Sequence, residues 1–161
     1  NNLCGQVVSV DCGGTPTVAV VASVCDINDH TCGVDMITNT WNPATGNAPY
    51  GEVTCKVSLT ADNAMSGSSN QCFYRPDGVA GSSEYSTSVG LFNTGGKLVQ
   101  SSTLAGIEGT YNGNSGYFDF NSLGQPLFVS SAELVTTFTD GSLVTTKYSE
   151  CVKPSGAHIF G

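Results

Sequence analysis

The chain has 161 residues, of which 39% are hydrophobic and 11% charged, and its formal net charge is -8. This length and composition exclude a disordered chain and predict a single domain, residues 1–161, with a hydrophobic core. The five basic residues are scattered, so neither nucleic acid nor an anionic membrane surface is an expected partner, and no apolar run reaches the roughly 20 residues of a transmembrane helix.

Strand patterns dominate the N-terminal half of the chain. Residues 6–10 predict a short strand, and residues 15–24, nearly all apolar and β-branched or small, predict a strand buried on both faces. Residues 51–60 alternate apolar and polar side chains, which predicts one buried and one solvated face. Two prolines predict a loop over residues 41–50, because each proline holds the preceding residue in an extended conformation.

The C-terminal half predicts two β-hairpins. Residues 106–120 form two strand patterns around an Asn- and Gly-rich turn, and residues 134–148 do so around Asp140-Gly141. A last short strand is expected at residues 158–160. The predicted fold is therefore all-β, or β-rich with one short helix, as an antiparallel sandwich or twisted sheet.

Seven cysteines lie along the chain without a C-x-x-C pair, which argues against zinc-ribbon and thioredoxin-type sites. Their spacing suggests three sequential disulfides, although the same cysteines allow other pairings. The sequential pairs are Cys4 with Cys12, Cys25 with Cys32, and Cys55 with Cys72. Cys151 is then left over, either as a buried thiol or as a link to a partner chain. Disulfides form in oxidising compartments, so we expect a secreted protein, extracellular or on the cell surface.

One short loop between two cysteines is rich in oxygen ligands. Its string Asp-Ile-Asn-Asp-His resembles the calcium-binding linker of cadherin repeats, which implies Ca²⁺ as a ligand; no other cofactor is expected. An Asx-rich turn closed by a disulfide explains the same pattern without a metal. The residues that would bind Ca²⁺ are Asp26, Asn28, Asp29 and Asp35.

Evidence for catalysis is weak throughout the sequence. His30 and His158, the two histidines, could serve a small secreted hydrolase, but no G-x-S-x-G pattern supports one. The Asp and Glu residues, Asp119 among them, show no spacing that singles out a catalytic pair. Trp41 and Tyr50 lie in a predicted loop, where aromatic rings can stack on a glycan, although core packing is the alternative.

The C-terminal part carries a further pattern. A strand and turn over residues 118–124 precede the hairpin turn at residues 139–142, a last strand over residues 148–152 and the Pro-Ser-Gly run at residues 154–156. This order resembles the globular head of minor type IV pilins and type II secretion pseudopilins. The resemblance implies a filament subunit without catalytic residues.

A separate argument from residues 15–24 leads to the same role. Such an apolar extended segment could complete its own sheet or be donated as a strand to a neighbouring subunit. Self-association with identical or related subunits is therefore expected. The residues of that interface would be Val18, Val20, Val21, Val24 and Cys151.

These patterns order three functional hypotheses. The first is a structural subunit of an extracellular filament or pilus-like surface assembly. The alternative is a secreted module that binds a glycan or a protein through Trp41 and Tyr50. The third is a small secreted hydrolase.

Overall fold

The computed structural model describes residues 5–21, 34–62, 71–75, 82–112 and 116–152. These residues form one α-helix and eleven strands, which we number in chain order. The elements are β1 Val7–Asp11, β2 Thr17–Val20, α1 Thr38–Thr45, β3 Lys56–Leu59, β4 Gln71–Tyr74, β5 Ser86–Phe92, β6 Val99–Leu104, β7 Ile107–Glu108, β8 Thr110–Asn112, β9 Tyr117–Asn121, β10 Glu133–Phe138 and β11 Leu143–Lys147.

The strands form three sheets in which neighbouring strands are antiparallel. Sheet I has the order β2-β1-β3, sheet II the order β4-β5-β9-β8, and sheet III the order β11-β10-β6-β7. The predicted β-rich fold with one short helix is confirmed. Both hairpins are confirmed as well, since β8 pairs with β9 and β10 pairs with β11. The strand expected at residues 158–160 lies outside the described residues.

The main core lies between sheets II and III. Side chains from one face of each sheet meet there and are almost completely excluded from solvent, as alternation along each strand requires. The central members are Val89, Leu91, Phe118 and Phe120 from sheet II and Leu104, Leu134 and Phe138 from sheet III. Burial of these aliphatic and aromatic groups stabilises the fold by roughly 1.5–3 kcal/mol per side chain.

In sheet I, two of the predicted burial patterns are wrong. Thr17–Val20 is only half buried, with Val18 40% exposed, and all four residues of Lys56–Leu59 are exposed. The reason is their position at the two edges of a three-stranded sheet, whose central strand β1 buries Val7, Val8 and Val10. Within the predicted segment, β2 thus adds an edge strand to the chain's own sheet.

A helix occupies part of the segment that was predicted as a loop. Helix α1 includes Pro43, whose ring allows helical angles but supplies no N–H group to the helix. Its Ala44 side chain packs on Val8 and Val10 of sheet I, and this packing outweighs the cost of the proline. The helix ends at Gly46, whose left-handed conformation directs the N–H of Asn47 to the carbonyl of Asn42.

Two disulfides of the described residues join cysteines distant in sequence, so the predicted pairs Cys4 with Cys12 and Cys55 with Cys72 are wrong. Cys12 bonds to Cys55, because the pairing of β1 with β3 brings the two Cα atoms within 4.1 Å. Cys72 bonds to Cys151, where Val152 forms a parallel bridge to the residue after Cys72. Cys151 is therefore neither a free thiol nor a link to a partner chain. The remaining predicted disulfide residues, Cys4, Cys25 and Cys32, lie outside the described residues.

Candidate functional site

The outer face of sheet II carries a patch of polar side chains. Alternation along β5 and β9 sends Val89, Phe118 and Phe120 into the core and leaves the intervening side chains on the opposite face. The strand register then sets these polar residues side by side. Ser86 pairs with Asn121, Ser88 with Asp119, and Asp119 also with Thr110.

These side chains line a shallow groove of about 340 Å³. The lining residues are Ser86, Thr87, Ser88, Thr110, Asp119, Phe120 and Asn121. Asp119 is the one carboxylate among them, and the other polar groups are hydroxyls and an amide. Such a surface can both donate hydrogen bonds to a neutral, hydroxyl-rich ligand and accept hydrogen bonds from it.

Ser88 differs from the other polar residues of the groove. It is 8% exposed, and its hydroxyl oxygen has no hydrogen-bond partner in the described structure. An unsatisfied buried hydroxyl costs free energy that a native structure seldom leaves uncompensated. By contrast, Ser102, which is also buried, shares a hydrogen bond of 3.0 Å with Thr136 in sheet III. The Ser88 hydroxyl therefore lies beneath the groove surface as a buried polar group without a hydrogen-bond partner in the described structure.

Side chains that contact one another support the groove from the core side. Thr87, between the two groove serines, accepts a hydrogen bond of 2.8 Å from the Tyr148 hydroxyl. The rings of Tyr148 and Tyr74 meet edge to face with centroids 5.5 Å apart. Burial, and then the hydrogen bond with Tyr148, raises the pKa of Tyr74, so the Tyr74 phenol stays a neutral hydrogen-bonding group at physiological pH.

Further along the same face of sheet II, aromatic side chains are buried. Phe92 packs edge to face on Phe73 and on Tyr117, with centroid distances of 5.9 and 5.0 Å. The N-terminal segment covers this cluster at Gly5, where an added Cβ would overlap the Phe92 ring. The outer face is therefore partly covered and partly open, and the open part is the groove.

Trp41 and Tyr50 form a second aromatic feature beside helix α1. The Trp41 side chain is buried and donates its indole N–H to the Ala48 carbonyl at 2.9 Å. Tyr50 is 72% exposed, and its ring centroid lies 5.9 Å from that of Trp41. The structure thus brings the two predicted stacking residues together, with Trp41 beneath and Tyr50 at the surface. Neither residue lines the groove.

The other predicted site residues are placed only in part. Asp35 is exposed, whereas Asp26, Asn28 and Asp29 lie outside the described residues, as do His30 and His158. Within the described part of the chain, no three His, Cys, Asp or Glu side chains cluster in a way that could hold a metal ion. Calcium binding by the cysteine-flanked loop stays a prediction.

The sequence patterns do not predict the groove. Asp119 is among the acidic residues considered for a catalytic pair, and the other groove residues carry no sequence prediction of a functional role. The relevant signal is the alternation of Phe118 and Phe120 with Asp119 and Asn121 in β9, together with the Ser-Thr-Ser run that begins β5. Alternation predicts that each set shares a face, but only the register shows that the two faces coincide.

No protein-family model matches the sequence, and no curated protein is significantly similar to it. The chain has the fold of bacterial expansins. It superimposes on the apo expansin of Clavibacter michiganensis with a TM-score of 0.62 and 16% identity, over 94% of this chain and 69% of that one. A mutant of the Clavibacter michiganensis expansin in complex with cellohexaose gives a TM-score of 0.63 and 14% identity, over 98% and 78%.

These neighbours correct the resemblance to pilins and pseudopilins, which is wrong. The C-terminal pattern behind it is shared by many antiparallel hairpins, and here its parts belong to two different sheets, with residues 117–121 in sheet II and residues 133–147 in sheet III.

The predicted self-association is also wrong. The expansin complex contains a carbohydrate, β2 pairs within its own sheet, and Cys151 is bonded within the chain. Of the predicted interface valines, Val18 is exposed, Val20 and Val21 are half buried, and Val24 lies outside the described residues. In the described residues, no helix is long and apolar enough to cross a membrane.

Proposed function

We propose that this chain is a secreted, extracellular glycan-binding protein whose groove on sheet II holds a segment of a neutral polysaccharide. The observation that carries the proposal is the groove itself, in which neighbouring strands present Ser86, Ser88, Thr110, Asp119 and Asn121 to one ligand-sized volume. Sugar hydroxyls donate and accept hydrogen bonds, and these side chains complement both roles.

Charge supports a neutral glycan over an acidic one. The chain has a formal net charge of -8, and the groove contributes the carboxylate of Asp119. A polysaccharide with uronate or sulfate groups would be repelled by both. The cellohexaose held by the Clavibacter expansin mutant is a neutral glycan, which supports the same ligand class for this chain.

The proposal is of binding, not of hydrolysis. Hydrolysis of a glycosidic bond by paired carboxylates needs an acid and a second carboxylate about 5–9.5 Å away. Among the described residues that line the groove, Asp119 is the one with a carboxylate, and a second is not present there. The role assigned to Asp119 is therefore to accept hydrogen bonds from sugar hydroxyls. The two disulfides within the described residues are consistent with a protein that works outside the cell.

Calorimetric titration with cellohexaose tests the proposal. We expect binding by the native chain and a weaker affinity, by roughly three- to tenfold, for Thr110→Val, which removes one exposed hydroxyl of the groove with little change of shape. Asp119→Ala should weaken binding further, because it removes a charged acceptor.

Thr145→Val is the matched control, since Thr145 is an exposed strand threonine on sheet III. It should bind cellohexaose as the native chain does. Equal affinities for native protein, Thr110→Val and Asp119→Ala would show that the groove is not the site.

A further inference from the structure

Outside the groove, the most exposed aromatic residue in the described structure is Tyr50, at 72%. Exposed rings on mobile chains are poor binding sites, because a ligand must first order them. Tyr50 is held on two sides. Its ring packs against Trp41, tilted by 44°, and its hydroxyl donates a hydrogen bond of 3.3 Å to Thr38.

The segment that carries Tyr50 is tied to helix α1. The Trp41 indole donates to the Ala48 carbonyl, and the Ala48 N–H donates to the Thr45 hydroxyl at 3.1 Å. That hydroxyl in turn donates to the Trp41 carbonyl at 2.8 Å. These three hydrogen bonds fix the loop before Tyr50 to helix α1. The face of the Tyr50 ring that does not contact Trp41 is therefore presented to solvent.

From this arrangement we propose that Tyr50, supported by Trp41, is a stacking platform for a pyranose ring, separate from the groove. The polar atoms of both aromatic side chains are already used within the protein, so the platform offers ring faces and no hydrogen-bond donor. The C–H face of a pyranose carries partial positive charge and fits the negative face of an aromatic ring.

Other occupants fit the platform less well. Domains that bind proline-rich peptides dock them in grooves lined by several aromatic side chains, whereas here a single exposed ring stands over a buried one. Thr38, whose hydroxyl accepts the hydrogen bond from Tyr50, places a neutral polar group beside the ring. A neutral sugar can use such groups through its hydroxyls.

This inference shares the ligand class of the proposed function but not its site. A glycan chain that contacts both the groove and the platform would be held more tightly than by either alone, provided that its length spans them. The platform would then slow the dissociation of long glycans, and the groove would recognise the sugar units that it holds.

Trp41 is the chain's one tryptophan, so its indole N–H signal reports on the platform by itself. We would titrate ¹⁵N-labelled native protein with cellohexaose and follow this signal together with the amide signals of Ser88 and Asp119. We expect the Trp41 indole signal to shift. Tyr50→Ala should weaken the affinity read at Trp41 by roughly three- to tenfold, the range of aromatic contact energies. Tyr50→Phe should change it less than about twofold, since the hydroxyl serves Thr38.

The groove variant Asp119→Ala should leave the Trp41 response in place, and Leu143→Ala, which truncates a 62% exposed side chain on sheet III, is the surface control. Shifts at Ser88 and Asp119 without a shift at Trp41 would overturn the platform and leave the proposed function standing. A Trp41 response unchanged by Tyr50→Ala would overturn it as well. So would a response to a polyproline peptide but not to cellohexaose.

Discussion

Ser88 of β5 and Asp119 of β9 lie directly opposite each other, with both side chains on the open face of sheet II. The carboxylate of Asp119 is exposed, whereas the hydroxyl of Ser88 is buried without a partner. This pair combines a charged acceptor at the surface with an unsatisfied group at the floor of the groove. A buried hydroxyl without a hydrogen-bond partner carries a desolvation cost, so the role of this atom can be tested by removing it.

Ser88→Ala should therefore separate stability from binding. Removing a buried hydroxyl that makes no hydrogen bond removes its desolvation cost, so the free energy of unfolding should stay equal or rise by up to about 1 kcal/mol. Glycan affinity should fall, because the ligand loses a partner at the groove floor. Thermal unfolding and calorimetric titration of the same sample measure both effects.

Ser102→Ala is the matched comparison for this variant. Ser102 is buried, as Ser88 is, but its hydroxyl bonds to Thr136 across β6 and β10. Its removal should lower the free energy of unfolding by about 1–2 kcal/mol and leave glycan affinity unchanged. If Ser88→Ala destabilised the fold as Ser102→Ala does, the Ser88 hydroxyl would have a structural role instead.

Asp140 gives the fold a dependence on pH in the acidic range. It accepts hydrogen bonds from the hydroxyl and the N–H of Ser142, and Lys97 lies 3.1 Å from its other oxygen. The Ser142 bonds, followed by Lys97, lower the pKa of Asp140 from 3.8 to about 2. A lowered pKa means that the folded state favours the charged form, so this contribution is present above pH 3.8 and is lost as pH falls through about 2.

We therefore expect the native melting temperature to fall more steeply between pH 4 and pH 2 than that of Asp140→Asn, which cannot ionise. The difference should be small because the site is exposed to solvent. Melting curves over this range, with an NMR titration of the Asp140 carboxyl carbon, test it. A titration midpoint at or above 3.8 would contradict the expectation.

The Cys72–Cys151 disulfide joins residues 79 apart in sequence and ties the C-terminal segment to β4. The double variant Cys72→Ala, Cys151→Ala should lose about 4–5 kcal/mol of unfolding free energy by the chain-entropy estimate. The Cys12–Cys55 bond closes a shorter loop of 43 residues, so its double variant should lose slightly less. Urea unfolding of the two variants gives the comparison, and equal stability of native and Cys72→Ala, Cys151→Ala proteins would contradict it.

Features that depend on neighbouring residues could be predicted from the sequence. Asp140-Gly141 and the Asn- and Gly-rich run before Tyr117 identify both hairpins, because turn chemistry and strand alternation are local. The β-rich fold class follows from the same signals. The loop pattern also identifies Tyr50 as an exposed ring, whereas Trp41 lies in helix α1 and is buried.

Features that depend on contacts between distant segments could not be predicted. Alternation in residues 51–60 suggested a buried face, but the edge position of β3 leaves it exposed. Pro43 suggested a loop, but packing of Ala44 on β1 favours a helix.

Each segment of this sequence by itself determined its own turns, its own alternation and hence the β-rich class of the fold. Only the tertiary structure decided that Cys12 meets Cys55, that Cys72 meets Cys151, and that Ser88 faces Asp119. The physical reason is that strand register and sheet order arise from burial of the whole core, to which every strand contributes and which no single segment encodes.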